Sequence, residues 1–163
     1  GCGTGSLTIM IATRLEGEGK AMGIDAAPRM IAIARHKAAR AGSRAGFAVG
    51  VAEALEFEDA AFDIVVNSMF MHHIDHELKQ LALAEMFRVL KPGGQLCTAD
   101  IDRPSTWLAG LIGWGGRYLL FQPELEDNLN GRLPELMREA GFREVQRPEH
   151  LYGLVSFFTA RKM

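Results

Sequence analysis

Cysteine is scarce in this chain: Cys2 and Cys97 are the only two among 163 residues. Two thiols cannot build a disulfide framework, and neither belongs to a CxxC pair or a Cys/His cluster of zinc spacing. A reducing, cytoplasmic location is the expectation that follows. Long apolar runs are absent too, none approaching the ~18 residues of a membrane span. The opening residues lack a basic stretch followed by an apolar one, so no signal peptide is expected. Positive charge is not in excess either: 18 Lys and Arg stand against 20 Asp and Glu, a formal net charge of −2. No global positive field is available to hold nucleic acid or an anionic membrane, and a nucleic-acid partner is not expected.

What is present is ordinary globular composition, 48% apolar and 23% charged. That excludes disordered, collagen-like and disulfide-scaffold classes. The length fits one domain of the usual ~100–200 residues, so residues 1–163 are read as a single domain. Helix and strand patterns alternate, which predicts an α/β fold with a mostly parallel sheet. Helices are expected over 6–16, from Pro28 to Gly42, over 76–90 and over 133–140. Strands are expected over 20–25, 46–50, 62–67, 95–101, 142–147 and 151–160, the last one antiparallel. The run FDIVVN at 62–67 predicts a strand buried on both faces. On the 76–90 helix an apolar stripe of Leu78, Leu81, Ala82, Met86, Val89 and Leu90 predicts the core face. Residues 103–131 are the least regular part and suggest a cap-like insertion. Its stretch WLAGLIGWGGRYLLF has four aromatics and one charge, Arg117. Glycines 110, 113, 115 and 116 argue against one rigid helix there. A buried helix, a lid over an apolar substrate and an interfacial segment all fit, with the lid preferred.

The chemistry concentrates near the start. Gly1, Gly3 and Gly5 in GCGTG allow a tight turn and close backbone approach to a ligand, and a helix N-terminus with free N–H groups follows. Twenty residues after Gly5, Asp25 ends a strand, where a carboxylate can take ribose hydroxyls. The spacing GxGxG, rather than GxGxxG, leans away from a nicotinamide cofactor. Further along, His72, His73, Asp75 and His76 crowd together. His72 and His76 are spaced as metal ligands on a helix would be, but no metal is expected. A histidine here could act as a general base. The basic residues Arg29, Arg35, Lys37, Arg40 and Arg44 read as a solvated face, since no aromatic platform interleaves with them.

GCGTG, GIDAAPRM, FDIVVNSMFMHHI and RVLKPGGQL, in that order and at these separations, resemble the class I S-adenosylmethionine-dependent methyltransferases. The likeness is strongest to the small-molecule type related to ubiquinone and menaquinone biosynthesis. It runs from Gly1 to about Asp100 and more loosely to the end. The resemblance implies a Rossmann-like methyltransferase sandwich with a mostly parallel sheet and an antiparallel last strand. It also implies that the first central strand, with its covering helices, is missing from this chain, which opens on Gly1 within the glycine loop. A chain so cut is expected to be marginally stable alone. S-adenosylmethionine is the implied cofactor. Gly1, Cys2, Gly3 and Gly5 would face its methionine part and Asp25 its ribose. Ala26 and Met30 would flank adenine, with Val51 and Ala52 contacting it. Asn67 and Ser68 would reach the methionine amine through the backbone. Relatives often carry Asp where Val51 stands. Valine accepts no hydrogen bond, at a cost of ~0.5–1.5 kcal/mol in affinity.

His72 and His73 are the catalytic candidates, and a small, lipophilic methyl acceptor is the expected partner. The oligomeric state is open. Two rival readings are a Rossmann-type NAD(P)-dependent oxidoreductase and a non-catalytic relative of the methyltransferases. Against the first stands the lack of a Tyr-x-x-x-Lys pair: Tyr118 and Tyr152 are each followed by unrelated residues.

Overall fold

The computed structural model of the protein describes residues 1–15 and 19–163. They form two compact units, Gly1–Glu56 and Phe57–Met163.

The first unit contains α1 (Ser6–Arg14), β1 (Met22–Asp25), α2 (Pro28–Arg40) and β2 (Gly46–Val49). The predicted end of the first helix, Glu16, lies outside the described residues. β1 and β2 pair in parallel, from Met22 opposite Gly46 to Asp25 opposite Val49. The connection between parallel strands needs a crossover, and α2 supplies it. Pro28 stands in the first turn of α2, where a missing N–H costs nothing. Gly42, at φ +60°, takes the left-handed conformation just past its end. Ile31, Ala34 and Ala38 on one face of α2 bury against Phe47, with Cys2, Ile9 and Ala45 packed around them. Two of the basic residues have structural work: Arg35 donates to the Phe47 carbonyl at 2.7 Å, and Lys37 to Ser6 Oγ at 2.6 Å.

The second unit is a four-stranded sheet of order β3–β4–β6–β5, built from β3 (Phe62–Ser68), β4 (Leu90–Ile101), β5 (Arg143–Leu151) and β6 (Val155–Arg161). β3 and β4 are parallel, and β6 runs antiparallel to both its neighbours. α3 (His76–Val89) packs on β4, and α6 (Leu133–Glu139) on β5 and α3. They bury Leu83, Met86, Leu96, Leu136, Met137, Phe142 and Phe158. α4 (Trp107–Leu119) and the short α5 (Glu126–Leu129) lie between β4 and α6 in the chain.

Three expectations change. β3 is not buried on both faces: Ile64 is 57% and Val66 40% exposed. Successive strand residues face opposite ways, and Asn67 turns to the helix-covered face while Ile64 and Val66 lie on the other. The predicted core face of α3 holds at Ala82, Met86, Val89 and Leu90, which are buried, but is wider on one side and narrower on the other. Leu81 is 52% exposed, whereas Lys79 and Leu83 are fully buried. Lys79 survives there because its ammonium donates to the Glu124 carbonyl at 2.6 Å and lies 3.6 Å from Asp127. Burial lowers its pKa, and Asp127 partly restores it. Finally, residues 107–119 do form one helix despite four glycines. Thr106 caps it by accepting from Ala109 N. Gly113 is needed by packing: a Cβ there would lie 2.7 Å from Leu129.

Gly5 is the tightest point of the first unit. Its φ is +75°, and an added Cβ would meet the Phe47 ring at 2.6 Å. Gly5→Ala combines left-handed strain with overpacking and is expected to cost about 2–4 kcal/mol, read by urea denaturation. An unchanged midpoint would show that Phe47 can move aside.

Candidate functional site

In the first unit the glycine loop lies against β1. Cys2 N–H donates to the Ile24 carbonyl at 2.7 Å, and Gly5 N–H to the Cys2 carbonyl at 3.0 Å. The loop thus occupies the edge of β1 away from β2. Asp25, half-buried at the carboxyl end of β1, accepts from Gly3 N at 2.8 Å and from Ala27 N at 2.9 Å. Each carboxylate oxygen takes one backbone donor and keeps further lone-pair capacity. Open parallel α/β units bind ligands at this end of their strands.

The three described loop glycines differ in role. Gly3 has φ +53° and nothing within 4 Å of where a Cβ would stand, so a ligand can approach its backbone. Gly5 is buried against Phe47, and its need for glycine is internal. Gly1 is exposed. Gly50 N donates to the Asp25 carbonyl at 3.1 Å, which brings the start of the 50–52 turn to the same strand end. Val51 is 38% exposed there, with Met30 39% exposed at the start of α2. Ala26 is exposed and Ala52 is buried. Burial raises the pKa of the Cys2 thiol, and of Cys97 in the second unit. Both stay protonated at neutral pH and make poor nucleophiles.

In the second unit the parallel pair β3–β4 ends in a second acid-centred cluster. Asp100, fully buried, accepts from Phe70 N at 2.9 Å and Met71 N at 2.8 Å through one oxygen. The other oxygen faces His72 Nδ1 at 2.6 Å, Ile101 N at 2.8 Å and Asn128 Nδ2 at 3.3 Å. A carboxylate only accepts, so in this contact His72 Nδ1 is the donor. The His73 ring stacks obliquely on His72, centroids 4.0 Å apart. Asn67 is buried and donates to Thr98 Oγ1 at 2.9 Å, so its side chain belongs to the sheet interior. Ser68, next in the strand, is exposed.

His72 and His76 do not share a helix face. His72 lies in a single 3-10 turn, Met71–His73, which Ile74 ends in an extended conformation before α3 begins. Their Nδ1 atoms serve different carboxylates, His76 facing Asp127 at 3.0 Å. His73 opens onto a cleft of about 610 Å³, whose opposite wall is Pro123, Glu124 and Asp127 of the 103–131 segment. Asp100 and Asn128 were not singled out from sequence. The available signal for Asp100 was the one used for Asp25, an acid at the end of a parallel strand.

Comparison with known proteins shows the family. A family model described as a methyltransferase domain matches residues 1–94. An uncharacterized methyltransferase of Synechocystis is 32% identical over 158 residues, covering 93% of this chain and 68% of the relative. A demethylmenaquinone methyltransferase of Listeria monocytogenes is 34% identical over 176 residues, covering 93% of this chain and 71% of its own. One of Thermus thermophilus reaches 40% identity over 111 residues, 68% of this chain and 49% of that protein. Among solved structures, a SAM-dependent methyltransferase of Methanosarcina mazei superposes with a TM-score of 0.77 at 24% identity, covering 100% of this chain and 90% of its own.

Burial, followed by the neighbouring His72, lowers the His73 pKa from the ordinary 6.5. A histidine with a depressed folded pKa binds more protons when unfolded. Its contribution to stability therefore rises with pH through the window up to about 6.5 and is lost as pH falls below the unfolded value. The expected NMR titration of His73 has a midpoint below 6.5. A midpoint above that value would show that Asp100 and Glu124 outweigh desolvation.

Proposed function

We infer that this chain, which belongs to the methyltransferase domain family and is an S-adenosylmethionine-dependent methyltransferase, alkylates an O, N or C atom of a small, lipophilic acceptor. The observation that carries the cofactor assignment is Asp25. Its carboxylate is steadied by Gly3 N–H and Ala27 N–H and retains acceptor capacity for the two ribose hydroxyls. Gly3 fits a closely approaching ligand, with its left-handed backbone and the open space beside it.

The remaining cofactor contacts are assigned on the same reading. Gly1, Cys2, Gly3 and Gly5 form the loop that meets the methionine part. Gly5 does so indirectly, by letting the loop pack on Phe47. Ala26, Met30, Val51 and Ala52 offer apolar contact to adenine, and exposed Val51 and Met30 are the surfaces available for it. Asn67 and Ser68 contribute backbone groups at the end of β3, since the Asn67 amide is engaged with Thr98.

The bound cofactor supplies a methyl group on a sulfonium sulfur, an electrophile whose sulfur leaves as a neutral thioether. The protein's task is to align the acceptor atom for in-line attack, exclude water and take the proton the acceptor loses. His73 suits the last role. Its depressed pKa keeps the imidazole neutral at pH 7, and it opens onto the cleft beneath the 103–131 segment. Ile74, Leu78 and Pro123 give that cleft an apolar strip within a mostly charged and polar lining, so the lipophilic acceptor rests on the family resemblance and not on this cleft. His72, held by Asp100, orients the turn that presents His73 and is the alternative base through Nε2.

Calorimetric titration with S-adenosylhomocysteine tests the assignment directly. Asp25→Ala is expected to weaken binding about tenfold or more, the loss of two hydrogen bonds to a charged group. Circular dichroism establishes that each variant is folded. A folded Asp25→Ala chain that binds as tightly as wild type would remove Asp25 from the site.

A further inference from the structure

The helix α4 is built inside out. Its inward side is small: Ala109 and Gly113 are its buried residues, and Gly113 lets Leu129 and Leu154 approach closely. Its outward side is large and apolar. Trp107 is 82% exposed, Leu111 64%, Ile112 60%, Tyr118 64% and Leu119 78%, and Phe121, just past the helix, 88%. At about 100° per residue these helical positions fall within an arc of roughly 140°, and none is charged. The β5–β6 turn packs against the start of α4, Ser105 N donating to the Gly153 carbonyl at 3.0 Å. It adds Tyr152, 95% exposed, to the same end. That contact and the Gly113 packing hold the large residues outward.

Beside this face lies positive charge. Residues 103–123 contain two arginines and no acid; Arg117 is paired with Glu126 at 2.7 Å, which leaves Arg103 as the unpaired one among the described residues. One flank of α4, Thr106, Gly110 and Trp114, lines a cleft of about 450 Å³ with Arg103 at its edge. Arg103 also borders a second cleft, of about 330 Å³, with Arg138 and Arg147. The one acid there, Asp102, is 2% exposed and taken by Ser156 Oγ at 2.6 Å and by Arg147 at 3.0 Å. Among the described residues neither Arg103 nor Arg138 has an ion-pair partner. The first cleft thus borders the Trp-containing face of α4, and the second, which carries Arg138 and Arg147, adjoins it through the shared Arg103 and Asn130.

We propose that the second unit docks on an anionic phospholipid surface through the outward face of α4, with a lipid phosphate received between Arg103 and Arg138. Aromatic rings beside aliphatic side chains suit the boundary between headgroups and acyl chains. Guanidinium groups suit a phosphodiester. A second copy of the chain is a poorer occupant. A two-fold contact through α4 sets identical surfaces together, and unpaired arginines would then face like charge. The net charge of −2 does not oppose docking, because attraction to a surface is set within a Debye length of it.

The experiment is co-sedimentation of the full chain with vesicles of phosphatidylcholine alone and of phosphatidylcholine with phosphatidylglycerol. Tryptophan emission is followed alongside, since Trp107 and Trp114 are the only tryptophans. Expected are a clear preference for the anionic vesicles and a blue shift that Trp107→Phe abolishes. Arg103→Gln with Arg138→Gln should lower the anionic partition roughly fivefold per arginine. Leu111→Asp with Ile112→Asp should lower it on both vesicles. All four side chains are exposed, so the variants leave the core intact, which circular dichroism verifies. Equal partition of wild type and the Leu111→Asp/Ile112→Asp variant overturns the proposal, as does no partition at all. Self-association of the free chain that this variant abolishes would assign the face to a second copy. Competition by millimolar glycerol phosphate, without any need for α4, would assign the arginines to a free phosphate ester.

Discussion

A carboxylate with no exposed surface persists only when donors replace the water it has lost. Asp100 has them from every side: two peptide N–H groups of the β3–α3 turn, its neighbour's N–H, the His72 ring and the Asn128 amide. One side chain thereby fixes the end of β4, the turn carrying both candidate histidines and, through Asn128, the short helix α5. Asn128 also donates to the Ile101 carbonyl at 2.9 Å, closing the cluster. Removing the carboxylate would leave several buried donors without a partner at once, at about 1–3 kcal/mol each. One wall of the His73 cleft depends on the same group, because α5, which carries Asp127, is tied to it through Asn128; the residues around Pro123 are held by Lys79 at the Glu124 carbonyl.

Asp25 and Asp100 are instructive as a pair. Each lies at the carboxyl end of a parallel strand and gathers peptide N–H groups from neighbouring loops, Asp25 from Gly3 and Ala27 and Asp100 from Phe70 and Met71. Asp100 is saturated and sealed, so it can only organise. Asp25 is half-buried and holds one backbone donor on each oxygen, so it can both organise and bind. The same residue type at a similar topological position is thus sealed into structure in one unit and left with open acceptor capacity in the other, and burial makes the difference.

Much of this was legible in the sequence. The helix–strand alternation and the antiparallel last strand all appear, with boundaries shifted by a few residues. What periodicity could not convey was which way a face turns. FDIVVN reads as doubly buried because Ile64 and Val66 are β-branched, yet only the Val65 and Asn67 side receives helices. On α3 the stripe through Leu78 and Leu81 competes with one through Lys79 and Leu83. The second wins because the Lys79 stem packs while its ammonium finds the Glu124 carbonyl. Sequence patterns score a lysine as surface, and only the tertiary partner reverses that. In the site, Asp25 and Gly3 stood out because a glycine loop followed at a set distance by a strand-end acid is a recognisable pattern, here 22 residues apart. The His72–Asp100 contact spans 28 residues, and no short-range pattern announces it.

The α4 segment shows the same limit most sharply. Its hydrophobicity fits a buried helix, a lid or an interfacial segment, and its glycines argue against one rigid helix. In the fold the glycines choose the orientation, since the side with the least bulk can approach Leu129 most closely. The bulky side is left in water. Large apolar side chains left exposed forgo ~1.5–3 kcal/mol each relative to burial. The outward residues of α4 together thus forgo an amount comparable with the net stability of a whole domain, ~5–15 kcal/mol. A surface this costly in isolation, with Arg103 and Arg138 nearby and unpaired among the described residues, is matched by a phase that is both apolar and anionic.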